Sequence, residues 1–199
     1  MVNHRLCIQS YISSMNHLQL ACIARDSYEN FNYALKGDIE VLVKKDVIGV
    51  TGTEGDIQDI IRDIRAYPWY DKKLKSFCHR GFLTAARKVY AVTKDIKHPT
   101  LTGHSLGGAV ATILAGYFVQ DNNYPKELVT FGAPRAGFAT LTRVLQPIKQ
   151  TRYVNGNDAV PSVPWMLGLY QHTSIEQPIG SKDSLLTDHF IKDYIESLR

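Results

Sequence analysis

The stretch Thr102-Gly103-His104-Ser105-Leu106-Gly107-Gly108-Ala109 sets one hydroxyl between two glycines and follows it with tiny residues. A serine hydroxyl becomes a nucleophile when a base removes its proton and the backbone holds it clear of neighbouring chain. The flanking residues predict the backbone part of that requirement. Pro99-Thr100-Leu101-Thr102 reads as a short strand and Leu106 to Phe118 as an Ala-rich helix, so Ser105 falls on a sharp strand-to-helix turn. Side chains two positions before and after such a turn would collide, and Gly103 and Gly107 remove the collision. Gly108 and Ala109 let the helix approach its sheet, so that its N-terminal N–H groups face charge developing beside Ser105. This is the G-x-S-x-G nucleophile elbow, and its chemistry is acyl transfer.

The elements needed to hold such a turn are present along the chain. A helical region is expected from Ser13 to Leu35. The segment IEVLVKKDVIGVTG reads as two β-branched strands joined at Lys45-Asp46, an antiparallel hairpin. Helices are expected over Ile57 to Tyr67 and Phe82 to Ile96, then the elbow strand and its helix. The strand ELVTFG, a short helix near Phe138 to Leu145, the strand QTRYVN, an edge strand around His172 to Glu176 and a last helix through Ile191 to Leu198 complete the chain. Alternating strands and helices imply an α/β sheet, mostly parallel, with the hairpin at one side and reactive groups at the carboxyl ends of the strands.

Composition narrows the class. With 199 residues, 44% of them hydrophobic, residues 1–199 are expected to form a single compact domain. The formal net charge of +4 is mild and its Lys and Arg are scattered, which argues against a nucleic-acid partner. Cys7, Cys22 and Cys78 have neither disulfide-framework nor zinc spacing and read as buried thiols; no metal and no cofactor is expected. The N-terminus is too polar for a secretory signal, and no segment approaches the roughly 18 apolar residues of a membrane span. The expectation is a soluble protein, cytoplasmic as made, leaving the cell only by lysis or another route.

Taken in order, several stretches resemble the class 3, or fungal-type, triacylglycerol lipase family of the α/β-hydrolase fold. They are Val50-Thr51-Gly52-Thr53, His79-Arg80-Gly81-Phe82, Thr102 to Ala109, Val129 to Arg135, Tyr153 to Pro161, and Asp188-His189. The resemblance implies a mostly parallel central sheet with helices on both faces and a catalytic order of serine, acid, histidine. Asp158, in a Gly/Asn turn after QTRYVN, fits the acid, although an aspartate there also suits a plain turn. Only His172 and His189 follow it. His172 falls in the expected edge strand, whereas His189 opens the last helix and matches the family's Asp-His pair followed by an aromatic. His104 is expected to point away from Ser105 and pack. The Leu106 N–H and Thr53 are the expected oxyanion donors. Two departures stand out: Thr51 where the family usually has Arg, and Asp59-Ile60 where it often has Asp-Trp.

The function so implied is a serine hydrolase of carboxylic esters, with lipid esters the expected substrates, through an acyl-enzyme with Ser105, Asp158 and His189. A non-catalytic binding member of the same fold and an acyltransferase using the same triad are the alternatives. Ile57, Ile60, Ile61 and Ile64 form one apolar stripe, which suits either a docked helix or a lid over the serine. With Ile57 and Ile60, the apolar run containing Val160, Pro161 and Trp165 is the candidate acyl-binding wall. The expected partners are an ester or lipid substrate and, transiently, a lipid interface.

Overall fold

A computed structural model describes residues 15–36, 39–52, 67–166, 168–181 and 187–199. Eleven strands are described: β1 Tyr33–Leu35, β2 Ile39–Lys44, β3 Val47–Val50, β4 Pro68–Asp71, β5 Ser76–His79, β6 Thr100–His104, β7 Glu127–Phe131, β8 Gly137–Phe138, β9 Gln150–Asn155, β10 Tyr170–Gln171 and β11 Glu176–Ile179. The α-helices are α1 His17–Asp26, α2 Arg80–Thr93, α3 Leu106–Gln120, α4 Ala139–Leu145 and α5 Ile191–Ser197. Seven strands form the main sheet in the order β1-β2-β3-β6-β7-β9-β11. From β3 to β11 neighbouring strands are parallel, and β1 and β2 add an antiparallel margin. This is the expected mostly parallel sheet of the α/β-hydrolase fold, with the hairpin at one side.

Strand periodicity divides the core into two layers. Ile48 and Leu128 face α2, α3 and α4, while their neighbours Val47 and Val129 face α1 and α5. Helices therefore cover both faces. Helix α3 is buried from Gly107 to Val119, so its apolar surface runs all the way round rather than in a stripe.

The structure corrects two expected elements and adds a sheet. Helix α1 ends at Asp26 rather than near Leu35, because Tyr33–Leu35 leave the helical path to pair with β2. The edge strand is Glu176–Ile179, parallel to β9, and His172 lies outside any strand. Its Pro178 obscures the strand pattern, yet the outermost strand is where a residue without an N–H is tolerated. A second sheet, β10-β8-β5-β4, was not anticipated, and it absorbs Pro68-Trp69-Tyr70 as a strand. The helix expected over Ile57 to Tyr67 lies outside the described residues, apart from the non-helical Tyr67.

Two histidines, the buried His104 and the half-buried His172, are held below their ordinary range. Burial, reinforced by nearby His189, pushes His104 down to about 3, and burial together with Arg152 pushes His172 down to about 4, from an ordinary value of 6.5. Both groups take up a proton more readily in the unfolded chain. Their contribution to stability is therefore complete above the unfolded value and is lost as pH falls toward the folded values. Each should lower stability by up to about 1.4 kcal/mol per pH unit in that window. Urea unfolding across this range should show a shallower pH dependence in His172→Gln than in the wild type. A matching slope would mean that His172 does not titrate on unfolding.

The elbow glycines give a second prediction. A Cβ on Gly107 would lie 2.2 Å from the Val50 carbonyl oxygen and 2.5 Å from that of Thr51, where only backbone could yield. Gly107→Ala should lose about 1–3 kcal/mol or more by overpacking, read from its urea midpoint. An unchanged midpoint would contradict this packing.

Candidate active site

Ser105 has φ 54° and ψ −129°, a conformation L-residues rarely adopt. Its N–H donates to the Phe131 carbonyl at the end of β7, 2.9 Å away, which ties the turn to the neighbouring strand. Serine at a helix start ordinarily caps the first turn with its hydroxyl. Here the strained backbone directs Oγ elsewhere, and it makes no capping bond. As expected from the sequence, the glycines admit this geometry: a Cβ on Gly103 would lie 2.6 Å from the Gly107 backbone.

His189 meets that free hydroxyl. It sits in a 3-10 turn, Thr187–His189, immediately before α5, with Nε2 2.9 Å from Ser105 Oγ and Nδ1 2.7 Å from Asp158 Oδ2. Since the Asp158 oxygen accepts, Nδ1 carries the proton and Nε2 presents its lone pair to the serine. Asp158 follows β9 in a turn closed by its own N–H to the Asn155 carbonyl. Its Oδ1 accepts from the Val160 N–H at 2.9 Å, and its Oδ2 also accepts from the Tyr194 hydroxyl at 2.6 Å. Ser105, Asp158 and His189 are all buried, Ser105 to 1% exposure.

The structure thus brings together Ser105, Asp158 and His189 and separates His172 from them. His172 Nε2 donates to the Pro161 carbonyl at 2.8 Å, a structural bond within the loop after Asp158. Leu106 occupies the first position of α3, where a backbone N–H has no intrahelical partner. Val160 and Pro161 are buried in a 3-10 turn, whereas Trp165 is 75% exposed and stands away from that buried group. Thr53, Ile57 and Ile60 lie outside the described residues. Thr51, the departure from the family's arginine, bonds through Oγ1 with both the N–H and the carbonyl of Glu40. Among the described residues no group of three or more His, Cys, Asp or Glu is placed to hold a metal.

Other participants were missed at the sequence level. Gly132 has φ +59°, and a Cβ there would lie 2.7 Å from Asp158 Oδ2 and 3.1 Å from His189 Cε1, so its bare backbone makes room for the acid and imidazole. Tyr194 reaches Asp158 from α5, 36 residues further along the chain, and no local pattern marks it for that bond. Tyr28, whose hydroxyl lies 3.2 Å from His104 Nδ1, had no local signal, being 76 residues distant.

Comparison with known proteins agrees with this architecture. Residues 47–167, well over half of the chain, match the family described as lipase (class 3). A secreted mono- and diacylglycerol lipase 1 of Fusarium solani is 40% identical over 49% of the chain, and the toxin TseL of Vibrio cholerae is 35% identical over 46%. The aligned stretches span 33% and 16% of those two proteins, so the chain covers a third or less of the length of either. Among solved structures, lipase II from Rhizopus niveus superposes with a TM-score of 0.66 at 21% identity, covering 89% of this chain and 84% of its own. The elbow, the sheet that carries it and the extent of the family match all lead to one assignment: the chain belongs to the class 3 lipase family.

Proposed function

We propose that this chain hydrolyses carboxylic esters of lipids through an acyl-enzyme at Ser105. The observation that carries the reading is the continuous hydrogen-bonded line from Ser105 Oγ through His189 to Asp158, ending on a hydroxyl that its own helix leaves uncapped. In the reaction, Oγ attacks the ester carbonyl carbon and its proton passes to His189 Nε2. The resulting oxyanion is received by the Leu106 N–H and, in this reading, by Thr53. His189 then protonates the departing alkoxide, leaving an alcohol and acylated Ser105. Water, deprotonated by the same nitrogen, attacks the acyl carbon; the bond from that carbon to Ser105 Oγ then breaks, His189 returns the proton to Oγ, and the fatty acid leaves. Asp158 orients the imidazole and stabilises its charged form. The name of the Fusarium relative makes mono- and diacylglycerols the first lipid substrates to test. A transient contact with a lipid interface accompanies such substrates.

A binding protein of the same fold has no need of a strained serine aligned with a buried imidazole, and a fluorophosphonate probe separates the readings by labelling Ser105 only if it is nucleophilic. Ser105→Ala and His189→Ala should each lower kcat by about 10⁶, with little further loss in the double variant, because triad members act as a unit. His172→Ala should keep most of the turnover. Activity of purified Ser105→Ala within about tenfold of the wild type would remove Ser105 as the nucleophile.

A further inference from the structure

His104 fills the x position before Ser105 in the G-x-S-x-G turn, and its side chain does more than pack. It lies in a directed hydrogen-bond chain. Nε2 is 2.7 Å from the His189 backbone carbonyl, which only accepts, so Nε2 carries the proton. Nδ1 is then an acceptor, and its partner at 3.2 Å is the Tyr28 hydroxyl. The Tyr28 oxygen in turn accepts from the Gly52 N–H at 3.1 Å. The donors all run one way, from Gly52 to Tyr28 to His104 to the His189 carbonyl, and that polarity fixes a single tautomer.

We infer that His104 is a positioning residue that holds the base His189 and the Gly52 end of β3 in one register about the nucleophile. The inference rests on the hydrolase reading above. Ser105 and His189 touch through Oγ and Nε2, but that contact is broken and remade in every turnover as the proton moves. The bond from His104 to the His189 carbonyl takes no part in the chemistry and persists through it. Because His104 is covalently joined to Ser105, the bond gives nucleophile and base a second, permanent connection. At its far end, the Gly52 N–H precedes Thr53, so the same chain reaches the strand end expected to supply an oxyanion donor.

The surroundings keep the link intact. The His104 ring lies 4.8 Å from the His189 ring, inclined by 35°, and meets Tyr194 edge-on at 6.0 Å. Among the described residues the titratable groups facing it are Tyr28, His189 and Tyr194, with Asp158 behind Tyr194. Burial and neighbouring His189 hold His104 far below its ordinary range, so the donor at Nε2 and the acceptor at Nδ1 are both retained at neutral pH.

The test uses variants that reproduce different parts of the ring. His104→Phe keeps the stacking surface and removes both bonds; His104→Gln places an N–H donor where Nε2 was; His104→Asn offers a polar group only near the Nδ1 position. On a soluble short-chain p-nitrophenyl ester, His104→Phe should lower kcat by about 10- to 100-fold with KM within about twofold, since misplacing a reacting group by about 1 Å costs up to that much. His104→Gln should recover most of the loss and His104→Asn should not. Equal losses in all three variants, or a kcat for His104→Phe within about twofold of the wild type, would overturn the inference. Should His104→Phe fail to fold, imidazole nitrogen NMR of the wild type decides. A neutral Nε2–H tautomer from about pH 5 to pH 8 supports the bridge, and a ring that titrates there or carries its proton on Nδ1 overturns it. The NMR result stands whether or not the protein turns over, whereas a wild type inert toward fluorophosphonate and every ester defeats the hydrolase reading itself.

Discussion

The backbone of Ser105 is the constraint on which the rest of the structure depends. A residue held at φ 54° and ψ −129° costs on the order of 1–3 kcal/mol and persists only where its surroundings over-determine it. The surroundings do so from three directions. The Ser105 N–H is fixed to β7, α3 is buried along almost its whole length, and small residues let the backbone of the turn press against β3 and the loop after β7. Burying an entire helix supplies far more free energy than one strained residue withdraws. The strain is thus local and its support distributed, which is why a small residue is required at several positions that never touch a substrate.

A second constraint is electrostatic. Asp158 is buried, and a buried carboxylate is tolerated only when its oxygens are satisfied. Three donors from different parts of the chain satisfy it: the Val160 N–H from the following turn, the Tyr194 hydroxyl from α5 and His189 Nδ1 from the turn before α5. Helix α5 accordingly does two things. Its apolar face closes the layer against α1, and its Tyr194 anchors the acid. Packing and site geometry are therefore coupled at this end of the sheet, where reactive groups of open α/β sheets gather.

How much of this was legible in the sequence follows from how local each requirement is. The elbow could be read because the strand, the turn glycines and the small-residue helix lie within twenty residues and each restricts residue type. Asp158 and His189 could be placed by chain order and resemblance, whereas the choice between His189 and His172 needed the three-dimensional pairing. Glu176–Ile179 was hidden by its proline and by having a single β-branched residue, features acceptable only because pairing on one side suffices. Gly132 and Tyr28 were invisible for another reason. Each serves a partner far along the chain, Gly132 by making room for Asp158 and Tyr28 by reaching His104, and no local pattern marks a residue for such service.

The burial of the site and the neutrality of His104 belong to one physical argument. The proposed reaction turns His189 into a cation while an oxyanion forms nearby, and in a site shielded from water these charges interact strongly. A second imidazolium stacked on the first would oppose its formation. A histidine at that position suits catalysis when it stays neutral, and burial beside His189 shifts it in that direction. The ring then contributes a polar donor to the His189 carbonyl without contributing charge. Phenylalanine could match the stacking but not the hydrogen bond, and lysine or arginine could match the bond only by adding the charge that the site excludes. Among the common side chains, a desolvated imidazole of fixed tautomer meets both requirements while also accepting from Tyr28 at its other nitrogen.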